Sequence, residues 1–164
     1  MEKINVGIIG FGLSGRVFHT TLIKACPDFE IKKVFTSRTS EVIALLPNAQ
    51  VENNVDAIIN DLNIQLVVVC GPTNTHFEQA KSSLLAGKHV LVEKPFVVSS
   101  SEGEELIKIA NEKKLILSVF HNRRWDGDYL TAKKLIHENK LGTIKQFESH
   151  FDRFRPEPKE GAWR

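Results

Sequence analysis

Ile4-Asn5-Val6-Gly7-Ile8-Ile9-Gly10-Phe11-Gly12-Leu13-Ser14-Gly15 opens on an apolar, β-branched run and closes on a G-x-G-x-x-G turn. A helical pattern follows at once, Leu13 to Ala25, with Val17, Leu22 and Ala25 on or near one face. The three-glycine spelling is weak alone but informative between a strand and a helix. There, Gly10 permits the tight turn, Gly12 lets main chain approach a pyrophosphate, and Gly15 lets the helix pack closely on the strand. The helix start adds free N–H groups and the positive end of its dipole. Gly10, Phe11, Gly12, Leu13, Ser14 and Gly15 are therefore the candidate dinucleotide cradle. The competing reading is a glycine-rich turn with no ligand. A Walker-type loop is excluded, because no G-K-[ST] follows.

Working outward, further short apolar runs occur at Ile31 to Phe35, Leu66 to Cys70, His89 to Val92 and Leu115 to Phe120, each reading as a strand buried on both faces. A short strand near Gln50 and Val51 completes about six. Helical patterns separate them. Val55 to Leu62 carries Val55, Ile58, Ile59 and Leu62. Thr75-His76-Phe77-Glu78 spells a capping box for a helix that stops at Gly87, and Ser101-Glu102-Gly103-Glu104 spells another. Alternating strands and helices imply parallel βαβ units, hence an α/β, doubly wound parallel sheet with flanking helices. After Phe120 the character changes: Tyr129 to Asn139 looks helical, and Ile144, Phe147, Phe151 and Phe154 fall at helical spacings.

Composition narrows the function classes. With 164 residues, 41% apolar and 26% charged, the chain belongs among ordinary globular domains. A net charge of +2 is too small for a dedicated nucleic-acid surface. No apolar run approaches the roughly 20 residues that span a bilayer, so no membrane association is expected. Met1-Glu2-Lys3 leads into the first run without the marks of a signal peptide, and the expected location is cytoplasmic. Cys26 and Cys70 lack C-x-x-C spacing and are expected to fill core space. The six histidines show no ligand spacing, so no metal site is expected.

Two further strand ends carry chemistry. About 20 residues past the glycines, an acid normally accepts hydrogen bonds from the adenosine ribose. Thr36-Ser37-Arg38-Thr39 stands there instead, and no Asp or Glu lies between Glu30 and Glu41. Arg38 can bind a 2′-phosphate through paired N–H donors, with the Ser37 hydroxyl beside it. NADP is favoured, with NAD possible; the alternative is an arginine at a solvated strand end. At the end of another strand, Glu93-Lys94-Pro95 places a lysine where ligands of open α/β sheets gather. Such a lysine could hydrogen-bond or relay the proton of a substrate hydroxyl.

Ile8 to Gly15, Cys70-Gly71-Pro72-Thr73-Asn74-Thr75-His76, Ala86-Gly87-Lys88-His89-Val90-Leu91-Val92-Glu93-Lys94-Pro95 and Asn122-Arg123-Arg124-Trp125-Asp126, taken in order, resemble the glucose-fructose oxidoreductase, inositol dehydrogenase and MocA (Gfo/Idh/MocA) family. The resemblance implies a Rossmann domain, residues 1–121, followed at 122–164 by the start of a second, truncated α/β domain for substrate and dimerisation. It implies NAD(P)-dependent oxidation or reduction of sugars, polyols and related hydroxyl compounds, and a homo-oligomer formed through the second-domain sheet. It makes Lys94 the active-site lysine, oriented by Glu93, with Pro95 after a cis peptide bond. Pro72, Thr73, Asn74 and His76 would face the cofactor, and Asn122 and Arg124 would lie near the nicotinamide. Thr73 and Asn74 are also good capping residues, and Arg124 beside Trp125 could be a stacked surface pair.

The resemblance also turns Thr143 to Phe154 from helix to strand, the first of the second domain's sheet. One departure is large: the family's D-x-x-x-H, which completes the acid/base machinery, does not occur. Hydride transfer needs a substrate oriented against the nicotinamide, so this chain alone is expected to bind cofactor and to turn over poorly or not at all. The alternative is a non-catalytic NADP-binding module that needs a partner chain.

Overall fold

A computed structural model describes residues 2–152, 154 and 156–157. They fall into two compact units, Met1–His121 and Asn122–Arg164. In the first unit, β1 (Ile4–Ile9) leads into a π-helical turn, Ser14–His19, continued by α1 (Thr20–Ala25). Then follow β2 (Phe29–Phe35), α2 (Thr39–Leu45), β3 (Gln50–Glu52), α3 (Asp56–Ile59), β4 (Leu66–Val69), α4 (Thr73–Leu85), β5 (His89–Val92), α5 (Ser100–Glu112) and β6 (Leu117–Val119). The six strands form one sheet in the order β3-β2-β1-β4-β5-β6, and every pairing is parallel. This is a Rossmann fold whose strand order reverses between β1 and β4, the crevice where ligands of such sheets bind.

The strand period of two explains the two cores. Ile9, Val67, Val69, Val90 and Val92 point to one face, where they pack with Ile58, Leu84 and Leu106. Val6, Ile8, Val34, Val68 and Cys70 point to the other, packing with Phe11, Val42 and Leu46. Each fully buried aliphatic side chain contributes about 1.5–3 kcal/mol.

Several local expectations are corrected. The face of the first helix is not Val17 and Leu22, which are 42% and 52% exposed; Gly15, His19 and Thr20 turn inward instead. The cause is the π-helical turn, in which the Thr20 N–H donates to the Gly15 carbonyl five residues back, so a 3.6-residue period misassigns the face. α3 is shorter than its pattern, and Leu62 lies outside it, 89% exposed. α4 starts at Thr73, with Pro72 as N-cap, and Thr75 Oγ1 donates to the Pro72 carbonyl (2.8 Å) instead of capping a helix. α5 opens on a capping box between Ser99 and Glu102, two residues earlier than Ser101. Cys26 is exposed and Cys70 buried, both as free thiols.

The second unit opens with a 3-10 turn, Asn122–Trp125, and continues in α6 (Gly127–His137). Arg123 pairs with Asp126 (2.7 Å) and lies over the Phe151 ring (5.2 Å). None of its described residues is buried. The described residues of 143–154 form neither the strand implied by the resemblance nor the helix implied by spacing. A strand exists through main-chain hydrogen bonds to a neighbouring strand, and the six-stranded sheet takes in none of the described residues of this segment; Phe147 and Phe151 stay about 70% exposed. Among the described residues, no helix is long and apolar enough to cross a membrane.

Candidate cofactor and active site

The turn after β1 is built by three glycines with three different surroundings. Gly10 has φ +99°, and a Cβ there would lie 2.8 Å from the main chain of Cys70 and Gly71. A Cβ on Gly15 would lie 2.3 Å from the Gly10 carbonyl oxygen and 3.1 Å from Cys70 Sγ. A Cβ on Gly12 would meet nothing within 4 Å. Two glycines are thus packed against protein while the middle one faces open space at the switch point. That space fits a pyrophosphate lying directly on main chain, and a phosphate there would meet the start of the following helix.

The other residues of the turn divide between site and scaffold. Phe11 is buried in the core, so only its main chain is available to a ligand, whereas Leu13 is 66% exposed. Ser14 donates its hydroxyl to Glu93 Oε1. Cys70 Sγ donates to the Gly10 carbonyl (3.0 Å), and burial, with the Glu93 carboxylate adding to it, pushes the thiol pKa well up. Cys70 is therefore an inert tie between the turns after β1 and β4.

Glu93 is the centre of the site's polar network. It is buried at the end of β5. Its Oε1 accepts from Ser14 and lies 3.1 Å from His19 Nε2, and its Oε2 accepts from the Lys94 main-chain N–H (3.0 Å). A carboxylate only accepts, so His19 Nε2 is the donor. The His19 ring in turn rests against Phe120, centroids 4.4 Å apart. Burial pushes the Glu93 carboxyl up, but the hydrogen bonds from His19, Ser14 and the Lys94 N–H outweigh it and hold the group below its ordinary value. Glu93 therefore acts on the main chain of Lys94, not on its ammonium. That lysine is exposed and precedes a cis bond to Pro95.

His76 is not at the surface. It is buried, with Nδ1 2.9 Å from the Pro95 carbonyl and Nε2 3.0 Å from the Gly71 carbonyl. It bridges the loops after β4 and β5 and offers no free ring nitrogen to a ligand. Pro72 and Asn74 are exposed and Thr73 is half-buried, at the start of α4. Ser37 and Arg38 are exposed beyond the end of β2. Asn122 and Arg124 lie on the 3-10 turn of the second unit.

Sequence reasoning missed two contributors. His19 was hidden by the π-helical turn. Glu41, read only as the next acid along the chain, comes back onto Arg38: Arg38 Nη1 pairs with Glu41 Oε1 (2.9 Å), and Arg16 Nη1 pairs with Oε2. The i, i+3 spacing of Arg38 and Glu41 was the available signal for half of this contact. Chiefly through the Arg38 hydrogen bond, and with help from Arg16 against some burial, the Glu41 carboxyl is held below its ordinary value.

A parallel sheet with strand order 3-2-1-4-5-6, an open glycine at its switch point and a lysine at the end of β5 define a nucleotide-binding domain of the oxidoreductase type. Residues 4–121 match the family model described as the oxidoreductase family with an NAD-binding Rossmann fold, and the chain belongs to that family, Gfo/Idh/MocA. Over its whole length the chain is 45% identical to scyllo-inositol 2-dehydrogenase (NADP(+)) IolW of Bacillus subtilis, covering 46% of that protein. It is 29% identical to the levoglucosan dehydrogenase of Pseudarthrobacter phenanthrenivorans, with 92% of this chain and 41% of that one covered. The crystal structure of apo scyllo-inositol dehydrogenase from Lactobacillus casei superposes with a TM-score of 0.76 at 27% identity, covering 86% of this chain and 43% of that one. The chain spans about half the length of the curated relatives it matches.

Proposed function

We propose that this chain is the cofactor-binding portion of an NADP-dependent oxidoreductase that transfers a hydride between nicotinamide and a hydroxyl-bearing carbon of a sugar or polyol. The observation that carries it is the open space over Gly12, framed by the tightly packed Gly10 and Gly15 at the switch point. NADP over NAD is supported by Ser37 and Arg38 at the end of β2, with no acid from residue 31 to residue 40, and by the NADP named for the Bacillus subtilis relative. The polyol class is supported by two relatives named for inositol and levoglucosan. The nicotinamide supplies the hydride donor or acceptor. Lys94, its main chain fixed by Glu93, holds or relays the proton of the substrate hydroxyl. Residues 122–164, Asn122 and Arg124 among them, begin the domain that would serve substrate binding and the oligomer. A second reading is a non-catalytic NADP-binding module. On that reading the chain binds NADP and needs a partner for turnover.

Cofactor titrations by protein fluorescence test this. The chain is expected to bind NADPH at least about tenfold more tightly than NADH, since a charge-assisted pair contributes about 1.5–3 kcal/mol. Arg38→Ala is expected to weaken NADPH by about that factor and leave NADH within about twofold. Equal affinities for the two cofactors in the unsubstituted chain would remove the NADP assignment.

A further inference from the structure

We propose that Arg16 is a second specificity-determining residue for the cofactor's 2′-phosphate, and that Glu41 is the resident oxyanion which this phosphate displaces from between Arg16 and Arg38. The inference rests on the NADP reading above. Its geometry is a convergence of two guanidiniums on one carboxylate, each taking a different oxygen. The other described surface carboxylates that pair with Lys or Arg, such as Glu30 with Lys32, Glu105 with Lys81 and Asp126 with Arg123, hold a single cation each.

The three residues come from two pieces of the fold, the π-helical turn and the start of α2, that meet beside the cradle. Arg16 follows Gly15, and its N–H donates to the Gly12 carbonyl (3.0 Å), so its main chain is one turn from the open space. Arg38 is the N-cap residue of α2, just beyond β2, and Glu41 sits in the first turn of that helix. An adenosine ribose reaching from a pyrophosphate on Gly12 to the end of β2 presents its 2′ position to this side of the crevice. Two guanidiniums on one carboxylate leave the trio with an excess positive charge. Side-chain exposures of 41% for Arg16, 55% for Arg38 and 31% for Glu41 leave it accessible to an incoming ligand.

A phosphate monoester carries more negative charge than a carboxylate and has three acceptor oxygens. It can receive both guanidiniums at once, while the Glu41 carboxylate moves aside into water. NADH has only a hydroxyl at that position and leaves the trio as it is. Selectivity therefore depends on Arg16 as much as on Arg38, and Glu41 works against NADPH by competing for the same donors.

Titrations of the chain with NADPH and NADH, on Arg16→Gln, Arg38→Ala and Glu41→Gln, test this directly. Arg16→Gln is expected to weaken NADPH by about tenfold with NADH within about twofold, and Glu41→Gln to tighten NADPH with NADH unchanged. Preserved NADH binding shows that the Arg16 variant keeps its glycine turn. If Arg38→Ala weakens NADPH and Arg16→Gln does not, the inference fails while the NADP reading stands. Equal weakening of both cofactors by Arg16→Gln, or loss of NADPH affinity in Glu41→Gln, also overturns it. If the unsubstituted chain binds both cofactors alike, the inference and the reading beneath it fall together.

Discussion

Gly15→Ala is expected to cost about 3–4 kcal/mol of stability, in the range of changes that force a core to shift. Its Cβ would sit 2.3 Å from the Gly10 carbonyl oxygen, an atom of the main chain that no rotamer change can move. Moving it would displace the turn, Cys70 behind it, and the π-helical hydrogen bond from Thr20 to the Gly15 carbonyl. For a domain of this size the midpoint of thermal unfolding should fall by roughly 10 °C. Gly12→Ala is expected to do the opposite. Nothing lies within 4 Å of its Cβ, so the melting temperature should stay within about 2 °C. The methyl group would instead occupy the space where a pyrophosphate meets main chain, and NADPH binding should drop by about a hundredfold or more, a loss of roughly 3 kcal/mol. Thermal melts and NADPH titrations of the two variants check the pair. A Gly12→Ala chain that binds NADPH like the parent would show that the open glycine is not a cofactor contact.

Glu93→Ala should destabilise the domain by about 3–5 kcal/mol, the cost of removing one partner from a buried charged network. It would leave the Nε2 N–H of buried His19, the Ser14 hydroxyl and the Lys94 N–H without their acceptor. The conservative variant Glu93→Gln isolates the charge. Because the folded carboxyl titrates below its ordinary value of 4.5, the network stabilises the fold fully above that value. The stabilisation is lost as pH falls below about 4.5, through the folded value. Urea midpoints measured from pH 6 down to pH 3 should therefore fall more steeply for the parent than for Glu93→Gln. Parallel curves would mean that the Glu93 charge contributes nothing to the fold.

How much was legible in the sequence depended on whether the cause was local. β1 and the turn after it are written in consecutive residues, and the parallel order follows from strands alternating with helices. α2 was not foreseen, because it buries only Val42 and shows no apolar face. The inward face of the first helix was misjudged because a π-helical turn breaks the 3.6 period. The serine run spells a cap at Ser101 and equally at Ser99, and Ser99 makes it. The described residues of 143–154 form no regular element, so neither periodicity nor resemblance is met there.

The site shows the same division. Gly10, Gly12, Gly15, Arg38 and Lys94 are candidates that motif and position name. The partners of Glu93 could not, since Ser14 and His19 lie 79 and 74 residues away in sequence. Nor could the engagement of His76 by the carbonyls of Gly71 and Pro95, which required knowing that two strand ends adjoin. The resemblance implies a cofactor contact for His76, while burial and the two carbonyls make its ring a tie between loops.

A crystal structure of this chain grown with NADPH is the most direct test. The account predicts the pyrophosphate on the main chain at Gly12, the nicotinamide toward Lys94, and the 2′-phosphate between Arg16 and Arg38 with Glu41 turned away. NADPH seated anywhere other than the crevice between β1 and β4 would contradict it.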